Sequence, residues 1–387
     1  MTRLFGDLQL AEDSVQEACS VALGQWSVEG TPANPTGWLV GVARHKAIDR
    51  IRRESRRADK EAAAMQFLEP TDMTSTEVSD DDSLSLIFMC CHPALDPNVR
   101  VPLTLRSVCG LSTADIAALY LVPEATMAKR LVRAKHKIRD AGIPFHLKPG
   151  ARAERLADVL RVVYLMFTGG HLSHGGPELV DAELCDTAVE LARSLAAMLP
   201  DEPEVTGLLA LLLLTDARRP ARVDADGAVV LLEDQDRSLW HHDMIDEGER
   251  LLEAALARRR PGPYQVWAAI AACHSTAAIA TDTDWRQIAA LYHDLLRYEP
   301  TPVVEANRAV AVAMAEGPTA GLVILDALAG NPQLASWPSL HMARADLHRR
   351  NGDTESSIAA YRQALQLEPP PVERAFIHRR IAEMTEN

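Results

Sequence analysis

The chain has 387 residues, of which 47% are hydrophobic and 24% are charged, and its formal net charge is −14. This composition excludes an intrinsically disordered protein, and the length allows two or three hydrophobic cores. Averaged over the chain, the charge argues against a polyanion such as DNA as a partner. However, the first 150 residues carry 18 basic and 19 acidic side chains, whereas the rest carry 22 basic and 35 acidic. The acidity therefore lies almost entirely in the C-terminal part.

Neither a membrane segment nor a metal site is expected from the sequence. The longest apolar stretch, residues 207–214, is far shorter than the roughly 20 residues that span a bilayer. The N-terminus does not show the basic and then apolar pattern of a signal peptide, so we expect a cytoplasmic protein without membrane contacts. The six cysteines are scattered, as reduced core thiols are, and the Cys90-Cys91-His92 run has no second ligand pair at zinc-finger spacing. We therefore expect neither a metal nor a cofactor.

Sparse aromatic residues and abundant Ala, Leu, Arg and Glu predict an all-α fold. In chain order, residues 11–18 predict a short helix with acidic side chains on one face. A second helix, beginning near Trp38, carries a basic run against three acids. An aromatic side chain beside such a cationic surface can stack on an unpaired base, although a tryptophan here is more often part of a core. The bases of this run are Arg44, Lys46, Arg50, Arg52, Arg53, Arg56, Arg57 and Lys60.

A flexible acidic linker is predicted over residues 69–83, which contain six acids, no base and few apolar side chains. It separates a first helical domain, residues 1–68, from a second domain, residues 84–142. Turn residues at 144–150 close the second domain. The acidic helical block, residues 150–387, follows.

The most informative segment is residues 112–139, which predicts a helix, a tight turn at 121–124 and a second helix. Ser112 is a suitable N-cap, and an apolar stripe at spacings of four, three and four identifies the buried side of the second helix. The stripe is Met127, Leu131, Ala134 and Ile138. The other side carries Lys129, Arg130, Arg133, Lys135, Lys137 and Arg139. A cationic helix after a short helix fits a DNA major groove, and a merely solvated basic face in a helical repeat is the alternative.

The C-terminal block contains one predicted β-hairpin and a weak repeat. Asp226-Gly227 lies between short apolar runs over residues 222–232, which favours a hairpin turn. Gly317 and Gly352 are 35 residues apart, close to the tetratricopeptide period, and Tyr361, Ala364 and Pro369 fit the last repeat. Stacked helix pairs of this kind form concave surfaces for a protein partner or for an intramolecular contact.

A further hypothesis is that the C-terminal block is an enzyme, but the sequence gives it little support. Two histidines near glycine pairs and a later His-His-Asp run after Trp240 are the candidate side chains of a hydrolase or metal site, namely His171, His174, His241, His242 and Asp243. No nucleophile elbow, phosphate loop or HExxH motif accompanies them. Buried or interface histidines explain them better, so we predict a protein without enzymatic activity.

The order of these motifs resembles bacterial extracytoplasmic-function sigma factors, group IV of the sigma-70 family. AEDSVQEA at 11–18, NPTGWLVGVARHKAIDRIRRESRR at 34–57 and GLSTADIAALYLVPEATMAKRLVRAKHKIRD at 110–140 stand in the order of region 2 and region 4. The remaining block resembles the tetratricopeptide-like extension of one subgroup. The resemblance implies sigma region 2 over 1–68 and region 4 over 84–142. Members usually begin with a further helix before the stretch that matches residues 4–10, so we expect either an upstream start or a missing packing helix.

The resemblance also implies partners and roles: core RNA polymerase and promoter DNA, with transcription initiation as the function. Asp13, Gln16 and Glu17 would bind polymerase. Minus-10 DNA would contact Trp38, Arg44, Lys46, Arg50 and Arg53, and minus-35 DNA would contact Glu124, Thr126, Lys129, Arg130 and Arg133. The alternative function is a stand-alone helix-turn-helix regulator with a protein-binding repeat domain.

Overall fold

The computed structural model describes residues 8–55, 80–141, 151–172, 179–225 and 227–386. Within these ranges the chain is helical and contains no strand, which confirms the all-α prediction. No helix among them is long and apolar enough to cross a membrane. The helices, numbered in chain order, are α1 Leu8–Glu29, α2 Pro35–Ser55, α3 Asp80–Cys90, α4 Pro97–Ser107, α5 Thr113–Leu119, α6 Glu124–Ala141, α7 Ala151–His171, α8 Ala182–Met198, α9 Pro203–Asp216, α10 His242–Ala257, α11 Pro263–Ser275, α12 Trp285–Leu295, α13 Pro302–Glu316, α14 Pro318–Leu328, α15 Pro338–Arg350, α16 Thr354–Gln366 and α17 Pro371–Thr385.

Two compact units divide the chain, and neither is continuous in sequence. The first contains residues 1–109 and 129–159, and the second contains residues 110–128 and 160–387. The chain therefore passes from one unit to the other three times: between α4 and α5, inside α6 and inside α7. The predicted domain boundaries at residues 68, 84, 142 and 150 stay predictions, and contacts divide the chain elsewhere.

Small side chains bring the helices of the first unit together. Buried alanines of α1, among them Ala18, face buried alanines of α2, among them Ala47, so that these two helices pack closely. Between α3 and α7, the buried Arg155 donates to the carbonyl oxygen of Phe88 at 2.9 Å. Arg100 of α4 forms an ion pair of 2.8 Å with Asp158 of α7. These contacts hold the start of α7 against the helices that precede it.

The centre of the second unit is α9, which is buried on all sides from Gly207 to Leu214. It packs against α8, α10 and α11, and each later helix packs against the next one along the chain. Proline at the first helical position starts many of these helices, where its missing N–H costs nothing. The apolar run that is too short for a membrane therefore serves as a core helix.

Gly317 and Gly352 each lie between two consecutive helices, and the tetratricopeptide-like repeat itself stays a prediction. Gly317, with φ 108°, joins α13 to α14, and Gly352, with φ 78°, lies between α15 and α16. Positive φ is the conformation that glycine adopts without steric cost. Tyr361 and Ala364 are buried in a cluster with Ile377, so the second pair packs onto α17.

Three local predictions need correction. The β-hairpin at 222–232 is wrong: only an isolated antiparallel bridge joins Val223 to Val229, and a 3₁₀ turn follows at Leu232–Asp234. Val223 is 37% exposed, so its side of the bridge buries little apolar surface that could support a longer ladder. The predicted linker lies outside the described residues up to residue 79, and its last four residues begin α3. The acidic helix is also longer than predicted, extending over Leu8–Glu29.

Candidate nucleic-acid interface

A tight turn joins α5 to α6, which carries the side chains predicted to contact duplex DNA. Ser112 Oγ accepts a hydrogen bond from the backbone N–H of Asp115 at 3.0 Å, and the Asp115 carboxylate accepts one from the backbone N–H of Ser112 at 3.2 Å. This capping box gives partners to two N–H groups at the helix start. Leu121 then adopts φ 49°, and the carbonyl oxygen of Pro123 accepts the first hydrogen bonds of α6. Backbone geometry thus fixes the turn at both ends.

The buried side of α6 follows the predicted stripe. Met127, Leu131 and Ala134 are all at most 5% exposed. The side chain of Ile138, the fourth member of the stripe, lies outside the described residues, as does that of Arg139. The described part of α6 is therefore amphipathic, with its basic side chains away from the stripe.

The predicted minus-35 residues all lie on α6, with Glu124 at its first position and the other four sharing one side of the helix. Glu124, Lys129 and Arg133 are exposed, whereas Thr126 and Arg130 are half-buried. Among the residues that the structure describes, no acid forms an ion pair with Lys129, Arg130 or Arg133. A helix with solvent-facing bases and no internal counter-charge can neutralise phosphates.

The turn before α6 packs against helices of the C-terminal block, within the second unit. A methyl group added to Gly169 of α7 would lie 3.1 Å from Leu111 and 3.6 Å from Leu119. Leu121 packs against a buried cluster that includes Leu322 and Leu347. Apolar contacts therefore tie the turn to helices more than 40 residues away in sequence.

The predicted minus-10 side chains lie on α2, and the structure places Trp38 in its first turn. The Oδ1 atom of Asn34 accepts a hydrogen bond of 2.8 Å from the backbone N–H of Gly37 and so caps the start of α2. Trp38 is half-buried, and its ring meets that of Trp26 edge-on, with centroids 5.3 Å apart. Arg44 is half-buried as well. The side chain of Arg53 lies outside the described residues.

The predicted polymerase-binding residues of α1 are two acids, which lie next to basic side chains of the first unit, and one glutamine. Gln16 and Glu17 are exposed, and Asp13 is half-buried. Ion pairs connect α1 to α2 and to α6, so the acids and the bases of this unit partly neutralise one another. The pairs are Asp13 with Arg50 at 2.7 Å, Glu17 with Lys46 at 3.8 Å and Glu12 with Lys135 at 2.8 Å.

The structure does not assemble the enzyme candidates into one described site. His241, His242 and Asp243 are exposed at the start of α10, and His174 lies outside the described residues. His171 instead lies beside Cys185 and Asp216, a cluster that the sequence analysis missed. Helices separate these three residues in sequence, so no local spacing could reveal them.

Three family models match this chain in succession. Residues 1–57 match "Sigma-70 region 2", residues 85–138 match "Sigma-70, region 4" and residues 155–256 match a "Family of unknown function (DUF6596)". The "Uncharacterized protein R00370" of Rhizobium meliloti is 43% identical over 386 residues, which are 97% of this chain and 90% of that protein.

A more distant relative is the "Probable ECF RNA polymerase sigma factor SigI" of Mycobacterium tuberculosis. It is 28% identical over 156 residues, which are 38% of this chain and 52% of that protein. The similarity therefore spans about half of the relative.

Proposed function

The chain belongs to the family of the Rhizobium meliloti protein R00370, and its matching regions are those of a sigma-70-type factor of the extracytoplasmic-function kind. From this premise, we propose that it directs RNA polymerase to specific promoters. The observation that carries this proposal is the basic surface of α6 inside the segment that matches region 4, where Lys129 and Arg133 are exposed and form no ion pair with an acid among the described residues.

In this proposal, α6 binds the minus-35 duplex. Glu124 and Thr126 lie near the start of the helix and reach base edges, whereas Lys129, Arg130 and Arg133 neutralise phosphates. The exposure of Glu124, Lys129 and Arg133 supports this division. Base contacts would set the promoter sequence, and phosphate contacts would set the salt dependence of affinity.

The first unit would hold polymerase and the melted minus-10 strand. Asp13, Gln16 and Glu17 would dock on polymerase, while Trp38 and the bases of α2 would bind the single strand. Because acids of α1 form ion pairs with bases of α2, docking on polymerase would compete with these pairs. Polymerase binding would thereby favour DNA binding by the same unit.

The C-terminal block would act on promoter recognition in cis. Its tetratricopeptide-like helix pairs carry the apolar cluster against which Leu121 packs, so a partner bound to these helices could alter the start of α6. The block could act in two ways. Support of the turn would raise the affinity for promoter DNA, whereas repulsion of DNA by the acidic surface would lower it.

The full chain should co-purify with core RNA polymerase and support core-dependent transcription from its cognate promoter. Lys129→Ala or Arg133→Ala should weaken promoter binding and lower the salt slope of affinity by about one. Simultaneous replacement of Glu124, Thr126 and Lys129 should change promoter preference while co-purification continues. Glu355→Gln, an exposed change in α16, is a control for handling and folding.

Failure to associate with core polymerase would refute the sigma-factor proposal. The alternative, a stand-alone regulator with a protein-binding repeat domain, predicts specific duplex binding without polymerase. Two basic helices in a chain of net charge −14 make such binding weak, which favours the first proposal.

A further inference from the structure

Three side chains with metal-ligating atoms meet inside the second unit. His171 ends α7, Cys185 lies in the first turn of α8, and Asp216 ends α9. The potential ligand atoms of these residues all lie within 4.8 Å of one another. Because tetrahedral ligands lie roughly 3 to 4 Å apart at ordinary metal–ligand distances, only small side-chain rotations would bring them onto one ion.

Two atoms of this cluster are buried and have no hydrogen-bond partner among the residues that the structure describes. Asp216 is 1% exposed, and its Oδ1 has no partner, while its Oδ2 lies 3.2 Å from Arg219. The Nδ1 of His171 is likewise buried and without a partner. Cys185 Sγ makes one long contact of 3.9 Å, with the carbonyl oxygen of Phe167. Buried polar atoms nearly always have partners, so these atoms point to a ligand.

The surrounding helices hold the cluster in place. A Cβ atom on Gly170 would lie 3.0 Å from Cys185 Sγ, so a larger residue there would have to shift α8 slightly away from α7. The His171 ring stacks on Phe167, with centroids 5.3 Å apart and 20° between the planes. This packing restricts the orientation of the imidazole, as a preformed ligand requires.

Three arginines lie near the cluster, and two of them, Arg219 and Arg222, have partners of their own, whereas the Nε of Arg218 is buried without a partner among the described residues. Arg222 donates to the carbonyl oxygen of His171 at the end of α7, and Arg219 bonds to Asp186 at 2.7 Å as well as to Asp216. The C-terminal ends of α7 and α9 carry partial negative charge, which favours cations.

We propose that His171, Cys185 and Asp216 bind a zinc-class divalent cation in the segment that matches a family of unknown function. A thiolate, an imidazole and a carboxylate suit Zn²⁺, at roughly 2.3 Å for sulfur and 2.0–2.2 Å for nitrogen and oxygen. On binding, the thiol releases its proton to solvent, and a water or small anion takes the fourth position. The ion would join the ends of α7 and α9 to α8, a role beyond promoter recognition.

Cobalt binding to the full chain tests the site without any variant. After removal of metals with a chelator, titration with Co²⁺ should give one equivalent of binding, a thiolate-to-cobalt band in the near ultraviolet and the intense visible bands of a tetrahedral ion. Added Zn²⁺ should displace Co²⁺ and remove the bands. Absence of the thiolate band would overturn the proposal.

Variants of single ligands give the second readout. Cys185→Ser should abolish the thiolate band, and Asp216→Asn should weaken Zn²⁺ binding at least tenfold in calorimetric titration. Cys273→Ser, which alters a half-buried thiol on α11, is the matched control and should bind as the parent does. If Cys185→Ser and Cys273→Ser lower cobalt binding equally, the proposal fails. Co-purification with polymerase, measured in parallel, separates this outcome from the sigma-factor proposal.

Discussion

Lys135 stands beside the buried stripe of α6, and its ammonium group lies 2.8 Å from the carboxylate of Glu12 in α1. The two side chains are 28% and 25% exposed, and partly exposed pairs of this kind contribute about 1 kcal/mol or less to stability. The functional consequence is larger, because a lysine that is paired with a carboxylate does not neutralise a DNA phosphate. The ion pair therefore reduces by one the number of positive charges on α6 that are available to bind DNA phosphates.

Glu12→Gln should raise the affinity of the full chain for promoter duplex, because Lys135 loses its carboxylate partner. The dependence of this affinity on salt concentration should also become steeper. Restoring one phosphate contact steepens the slope of log affinity against log salt by about 0.9. Fluorescence anisotropy of a labelled duplex at several salt concentrations measures this slope. The matched control is Glu29→Gln, which removes the same charge from the same helix where the carboxylate contacts only Gln25. Equal effects of the two variants would show that net charge, and not the ion pair, controls binding.

At the scale of single elements, the sequence predicted what depends on local spacing. The stripe Met127, Leu131 and Ala134 is buried as its period requires, and Ser112 caps α5. The hairpin at 222–232 was wrong because a turn signal does not supply the neighbouring surface that strands need. Likewise, the packing of Leu121 depends on helices far along the chain, which no local pattern contains.

The same distinction applies to the candidate sites. The bases of α6 were predictable, because a helical period separates them from the apolar stripe. The ion pairs of α1 were not, since they require the packing of α1 against α2 and α6. The His171, Cys185 and Asp216 cluster also depends on three helix ends meeting, so it emerged only from the structure.

Gly321 permits the close packing of the α13–α14 pair, and its replacement tests that pair. A Cβ atom there would lie 2.5 Å from both the Ala309 carbonyl oxygen and the Ala313 methyl group. Gly321→Ala should therefore destabilise the chain by about 1–3 kcal/mol, because the helices must separate to accept the methyl group. Thermal unfolding should show a lower Tm, and hydrogen exchange should speed up in α13 and α14.

Gly330→Ala is the control for this variant, since a Cβ atom at Gly330 meets nothing within 4 Å. It should leave the Tm unchanged or raise it slightly, because alanine restricts the unfolded chain more than glycine does. If Gly321→Ala also leaves the Tm unchanged, the close approach of the two helices does not constrain position 321.

At the scale of the whole molecule, charge and packing divide the chain differently. Charge divides it near residue 150, with a nearly neutral part before and an acidic part after. Contacts place residues 110–128, including the start of α6, in the same unit as the C-terminal helices. An extension that acts only through its charge would repel DNA, whereas one that supports the turn would strengthen recognition.

Leu121→Asn in the full chain distinguishes these two actions, because it removes the apolar contact and leaves the net charge unchanged. Asparagine tolerates the positive φ of this position, so the backbone of the turn remains accessible. Loss of half of a leucine's burial costs about 1 kcal/mol, which should lower specific promoter binding several-fold and speed hydrogen exchange over residues 113–128. Leu239→Asn, at a site that is 52% exposed, is the matched control and should change neither quantity. The opposite outcome is promoter binding at the parent level in Leu121→Asn, together with stronger binding in a chain that lacks residues 151–387. That result would show that the extension acts by electrostatic repulsion of DNA.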